Sequence, residues 1–288
     1  VSLALEKVFY QKFIERMMGI VDLAPTNIGD FLQSYYYLRF EAINLKRIVR
    51  GKFSGLPNST IIESLIPITP YRVESYEEIV GAETFQYAVR RLEGTQYEPL
   101  VSSLELSEKY DALWPVEIAL NHISAKAIFK SLERLPQGDR GLVRRIVQAE
   151  ADVENFLVAA KQRGARENAH SPEEMFPTTY DISLDMLREA IEADDLRTII
   201  QGLNPPYNEI LTPLYEGDVA LIRSRLRQHV YDIAYKGRAA NDFGFNVIMA
   251  YLVFSEIEKD DIVGIAWGKT QGIVAEDMLK YLAIPNYS

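Results

Sequence analysis

Cysteine is absent from this chain of 288 residues. That excludes disulfides, thiolate nucleophiles and cysteine-based metal sites, and it fits a reducing cytosol. Basic charge is also short: 31 Lys and Arg face 41 Asp and Glu, for a formal net charge of −10. Phosphate-rich partners are bound through a basic face, so nucleic acid is excluded as the main partner. No uninterrupted apolar run approaches the roughly 18–20 residues of a membrane-spanning helix, so no direct membrane span is expected. The opening "VSLALEKVFYQKF" has neither the basic region nor the long apolar core of a signal peptide. Alternating apolar and polar runs bounded by turn pairs, the mark of strands, are nearly absent.

What is present is enough apolar sequence for a substantial core, 48% of residues, and a repeat. "EAINLKRIVRGKFSGL", Glu41 to Leu56, aligns without gaps on "EKDDIVGIAWGKTQGI", Glu258 to Ile273, each pair 217 positions apart. Glu41 meets Glu258, Asn44 meets Asp261, and Gly51-Lys52 meets Gly268-Lys269. Gly55 meets Gly272. A third copy, "DVENFLVAAKQRGA", puts Asp152 opposite Glu41 and Asn155 opposite Asn44, with Gly164 two positions early. The spacings are 111 and 106 residues, too long for a solenoid and long enough for a domain. Each copy runs on into a short amphipathic piece ending at Pro67, Pro177 or Pro285. Each is preceded, 35 residues upstream, by a helical run holding Glu6, Glu117 or Arg223. The linkers after the first two copies also match, with Tyr97 and Tyr207 110 apart. A third linker is expected outside Val1–Ser288, and the missing initiator Met favours an additional N-terminal segment.

Leu38, Ala42, Leu45 and Val49 stand at i, i+4, i+7 and i+11, a helical stripe flanked by Arg39, Lys46 and Arg50. Val153, Phe156, Leu157 and Ala160 repeat it. Gly51, Gly55, Gly164, Gly268 and Gly272 read as helix stops. The expected fold is all-α: three similar helical domains with pseudo-threefold symmetry, at 1–75 (short of an N-terminal segment), 76–180 and 181–288.

Candidate chemistry is sparse. "GIAWGKT", Gly264 to Thr270, imitates a phosphate-binding loop, but it has three residues between its glycines where the motif needs four. It also closes a helix, the end with the wrong partial charge for phosphate. His122, His170 and His229 stand alone, without metal-ligand spacing. Glu77-Glu78, Asp194-Asp195 and Asp260-Asp261 read as solvated helix starts and faces. "NST" at Asn58 reads as a helix cap. The tyrosines, including Tyr35-Tyr36-Tyr37, are expected mostly in the core. No catalytic residue, cofactor site or metal site is assigned. Glu41/Asn44, Asp152/Asn155 and Glu258/Asp261 are each three apart on one helical face. They read as a polar network inside each repeat, or as an interaction ring. Charge differs between repeats: five bases and one acid from Arg39 to Lys52, six acids and three bases from Glu256 to Ser288. Such asymmetry suits an adaptor with different partners.

"YYYLRFEAINLKRIVRGKFSGL", with its proline-ended short helix, resembles the first repeat of the C subunit of archaeal and bacterial V-type (A-type) ATP synthases. The eukaryotic equivalent is the d subunit of the vacuolar ATPase. "IEKDDIVGIAWGKTQGIVAEDMLKYLAIP" resembles that family's last repeat, although Asp261-Ile262-Val263 stands where the family usually has Asn-Leu-Arg. The resemblance implies a non-catalytic rotor component shaped as a helical funnel on the cytoplasmic face of the membrane. It implies a central shaft of the D and F subunits seated in the cavity and a proteolipid rotor ring at the wide end. The competing readings are a helical protein-binding scaffold unrelated to the rotary ATPase, and an all-α enzyme. The enzyme would need a second Asp-rich motif to partner "EADDL", Glu192 to Leu196.

Overall fold

The structure, a computed structural model, describes residues 2–163, 172–176, 178–239 and 244–284. Every regular element among them is helical. In chain order the α-helices are α1 (Ser2–Leu23), α2 (Thr26–Phe53), α3 (Asn58–Ser64), α4 (Tyr76–Val80), α5 (Phe85–Arg90), α6 (Ser103–Tyr110) and α7 (Trp114–Ser131). There follow α8 (Arg140–Gln162), α9 (Pro172–Met175), α10 (Leu184–Glu192), α11 (Leu196–Gly202), α12 (Tyr207–Leu211), α13 (Val219–Ala239), α14 (Phe245–Thr270) and α15 (Ala275–Leu279). Several of the short helices begin where a side chain accepts a first-turn N–H. Ser75 Oγ takes the Glu78 amide at 3.3 Å, Thr84 Oγ1 that of Tyr87 at 3.3 Å, and Ser183 Oγ that of Met186 at 3.3 Å.

The chain divides into two compact units. In the first, Tyr10–Leu135, α2 is the spine, with α3, α4, α5 and α7 packed on it. Its stripe Leu38, Ala42, Leu45 and Val49 is buried throughout, as the periodicity requires. Around the middle of α2, Phe13 meets Tyr36 edge-on at 5.2 Å and Phe40 at 5.9 Å. Such pairs contribute about 0.5–1.5 kcal/mol each beyond their burial. Tyr35 and Tyr36 are core residues. The second unit holds Val1–Phe9 and Pro136–Ser288. There α8 packs on α10 and α13, and α13 on α14. Val153, Phe156 and Leu157 are buried, while Ala160 is half-buried. The boundary at Leu135 falls inside the 76–180 segment.

Two helix exits are built alike. Leu56 N–H donates to the Gly51 carbonyl at 2.9 Å, and Ile273 N–H to that of Gly268 at 2.9 Å. Gly55 and Gly272 take φ of +68° and +73°, the left-handed conformation that ends a helix and favours glycine. Gly51 and Gly268 do something other than stop the helix, contrary to the sequence expectation. They lie within α2 and α14, where a Cβ would sit 2.6 Å from Ile61 Cγ1 and 2.6 Å from Met278 Sδ respectively. Their missing side chains let the next short helix lie against the long one. Gly164, Pro177 and Pro285 lie outside the described residues.

Candidate functional site: anchored helix exits

The repeat-equivalent polar residues sit on α2, α8 and α14, and they reach forward along the chain. Glu41 is fully buried on α2. Its carboxylate accepts the Tyr71 N–H at 2.7 Å and the Arg72 N–H at 2.9 and 3.1 Å. It also accepts the Tyr97 hydroxyl at 3.0 Å. One turn on, Asn44 Nδ2 donates to the Ile66 carbonyl at 3.0 Å and Oδ1 accepts the Ile66 N–H at 2.7 Å. The amide side chain thus pairs with both backbone groups of one residue, as a strand would. A buried carboxylate is tolerable only with such donors. No cation pairs with Glu41 among the described residues. Tyr97, itself fully buried, has its pKa pushed upward, first by burial and then by the Glu41 charge.

On α8 the shorter Asp152, also fully buried, accepts the N–H groups of Tyr180, Asp181 and Ile182 at 3.1, 2.8 and 3.3 Å. Asn155 Nδ2 donates to the Thr178 carbonyl at 3.1 Å. Burial pushes the Asp152 carboxyl up to about 6, against the pull of its three backbone donors, and the nearby Asp181 charge adds to the rise. Tyr207, the counterpart of Tyr97, donates its hydroxyl to Asp181 Oδ2 on the gripped loop at 3.1 Å, and its pKa is pushed upward, first by burial and then by the Asp152 charge.

On α14 the pattern is modified. Asp261 is buried and grips Ala283 N–H at 3.0 Å and Ile284 N–H at 2.9 Å. Its span of 22 residues matches that of Asn44 to Ile66, 22, and of Asn155 to Thr178, 23. Asp261 therefore does the work of the asparagines. Two bonds from α13 brace the same segment: Arg227 Nη2 to the Tyr281 carbonyl at 3.3 Å and Gln228 Nε2 to that of Leu282 at 3.1 Å. Glu258, aligned with Glu41 and Asp152, is exposed. The Asp260-Asp261 pair is thus no solvated face. Lys259 Nζ, buried, pairs with a half-buried Asp260 at 2.5 Å.

The remaining candidates are ordinary. Gly264 to Thr270 is the last part of α14, with no strand before it. His122 and His229 lie on α7 and α13, their pKa values lowered by burial; His170 lies outside the described residues. Asp195 caps α11, accepting Arg197 N–H at 3.0 Å, and Glu77-Glu78 opens α4. Asn58 is not a cap: it is the first residue of α3, and its Oδ1 accepts from Lys52 Nζ at 2.7 Å. Of the upstream residues, Glu117 pairs with Arg50, and Arg223 with Glu154 at 2.8 Å. Among the described residues no group of three His, Asp or Glu is placed to hold a metal. No described helix is long and apolar enough to cross a membrane.

The model of the family described as ATP synthase (C/AC39) subunit matches residues 3–281. The chain belongs to this family. It is 23% identical over 281 residues to the C subunit of the A-type ATP synthase of Methanocaldococcus jannaschii, covering 94% of this chain and 69% of the relative. It is 24% identical over 257 residues to that of Methanosarcina mazei, covering 87% and 69%. It is 23% identical over 288 residues to that of Archaeoglobus fulgidus, covering 96% and 76%. The chain is thus a component of an A-type ATP synthase, and a non-catalytic one.

Proposed function

We propose that this member of the C/AC39 family is a rotor socket that couples a central shaft of the D and F subunits to the membrane's proteolipid rotor ring. It would transmit torque during proton or sodium translocation. In this reading 1–75, 76–180 and 181–288 are three copies of one helical unit, set with pseudo-threefold symmetry around a funnel. The cavity takes the end of the shaft, and the wide end rests peripherally on the ring at the cytoplasmic face. No residue is catalytic, and none binds a cofactor or metal.

The observation that carries the reading is the thrice-used anchor. A socket under torque must not let its helices slide against the segments that follow them. Glu41/Asn44, Asp152/Asn155 and Asp261 each tie a long helix to backbone 22 to 31 residues downstream through short, directional bonds. Bonds to ionised acceptors are about twice as strong as neutral ones. These residues act as struts.

The test is co-purification of the full chain with the D–F pair of the same organism, followed by addition of detergent-solubilised ring. A stoichiometric complex bridging shaft and ring is expected. Binding to neither partner by a well-folded full-length chain would overturn the socket and leave a helical scaffold of other use.

A further inference from the structure

Beside the first anchor lies an open cleft of about 510 Å³, within the Tyr10–Leu135 unit, between α2, the end of α7 and the loop that Glu41 holds. Its described lining carries three cations, Arg72, Lys130 and Arg134, against one carboxylate, Glu133. In a chain of net charge −10 this is a local reversal of sign. None of the three cations is in an ion pair among the described residues. Two are nonetheless fixed in place. The Arg72 guanidinium lies 4.4 Å from the Tyr71 ring centroid. Arg134 Nη1 donates to the buried Ser34 Oγ at 3.0 Å, which in turn bonds the Tyr71 hydroxyl at 2.9 Å. The Gln96 amide nitrogen, also in the lining, is buried and makes no hydrogen bond.

The cleft hangs on the anchor. Glu41 grips the Arg72 N–H directly and Tyr97, the neighbour of Gln96, through its hydroxyl. The repeat makes the basic character specific to this anchor. Asp152 grips residues 180 and 181 as Glu41 grips 71 and 72, so Asp181 stands where Arg72 does, with the opposite charge. Shared architecture accounts for the loop; it does not account for three cations.

We infer that this cleft is a docking site for an acidic peptide segment of a protein partner. Unpaired cations supply charge complementarity, which steers and selects a partner. Leu38 and Ala127 in the same lining suit the aliphatic stems of glutamate or aspartate side chains. The cleft is far larger than a single oxyanion needs, and it offers one unsatisfied side-chain donor, not a nest of backbone N–H groups. The inference does not depend on the rotor reading, since it names a chemistry and not a particular partner protein.

The test uses the full chain and a short fluorescein-labelled peptide of glutamate and leucine, followed by anisotropy at low and physiological salt. Saturable, salt-sensitive binding is expected. Arg72→Glu and Lys130→Glu should each weaken it by about tenfold or more, the consequence of turning attraction into like-charge repulsion. Lys12→Glu makes the same charge change on α1, where Lys12 pairs with Glu15 at 2.7 Å, and should cost less than about twofold. Arg72→Glu keeps the backbone N–H that Glu41 holds, so the fold is retained, and circular dichroism checks it. A photo-crosslinker in the peptide should label the 72, 96 and 130–134 region. Equal losses from Lys12→Glu, labelling elsewhere, or absence of binding would overturn the inference. So would full displacement by orthophosphate at matched ionic strength, which would make the cleft a free-oxyanion site.

Discussion

Replacing Glu41 by alanine removes one acceptor and strands three donors. The Tyr97 hydroxyl suffers most, because Tyr97 is fully buried and water cannot reach it. A buried donor left unsatisfied costs about 1–3 kcal/mol. The Tyr71 and Arg72 N–H groups belong to half-buried and exposed residues, and partial hydration holds their loss to about 1 kcal/mol together. The vacated side-chain volume on a fully buried face adds roughly 1 kcal/mol. The expected loss is therefore about 3–5 kcal/mol, a large share of the ~5–15 kcal/mol that holds a typical domain. Urea denaturation of Glu41→Ala against the parent, followed by far-ultraviolet circular dichroism, measures it. A double-mutant cycle with Tyr97→Phe isolates the hydroxyl's part. Once Tyr97 has lost its oxygen, removing Glu41 should cost about 1–2 kcal/mol less. A loss under about 1 kcal/mol, or strict additivity with Tyr97→Phe, would refute the claim that Glu41 anchors the loop.

The other predictions follow from neighbouring contrasts. Asp152 has its carboxyl raised from an ordinary 3.8 to about 6. The folded chain then holds this proton more tightly than the unfolded one. Its contribution is greatest below pH 3.8 and declines as pH rises to about 6, by up to about 3 kcal/mol. Stability of the parent relative to Asp152→Asn should fall between about pH 4 and 6 and level off above about 7, as urea midpoints across that range will register. Asn44→Asp should cost about 2–3 kcal/mol, since a carboxylate cannot donate to the Ile66 carbonyl it would face, even though Asp261 serves well at the equivalent place. Gly51→Ala should destabilise by about 1–2 kcal/mol, because stiff, fully buried Ile61 must yield to the new methyl. Gly268→Ala should cost less than Gly51→Ala: the flexible Met278 side chain, which a Cβ would meet at Sδ (2.6 Å) and Cγ (2.9 Å), can rearrange, and alanine gains about 1 kcal/mol of helix propensity. Thermal melts of the two variants side by side decide it.

Much of the helical framework was legible because its signals are local. The Leu38–Val49 stripe, the Gly55 and Gly272 stops and the repeat itself are patterns along the chain, and a helix reads its neighbours at three and four residues. The anchor residues were legible through their recurrence, as a polar network inside each repeat or an interaction ring, but their partners were not. Glu41 is satisfied by donors that arrive from 30 and 56 residues away. Nor did the motif distinguish Glu258, which is exposed, from Glu41 and Asp152, which are not.

By itself, the sequence determined the all-helical class, the repeated helix exits and the family, since each rests on residue type and spacing along the chain. Tertiary structure decided which of those repeated residues carry weight. It turned Gly51 and Gly268 from stops into contact points, Asp261 from a surface acid into a latch, and Arg72 and Asp181 into opposite charges at matching places. The chain divides into two compact units although three copies are written along it, because compactness counts contacts between distant segments, and periodicity counts only similarity. Whether a polar group is buried, and what satisfies it there, depends on atoms the chain brings back from far away, and no local pattern records their return.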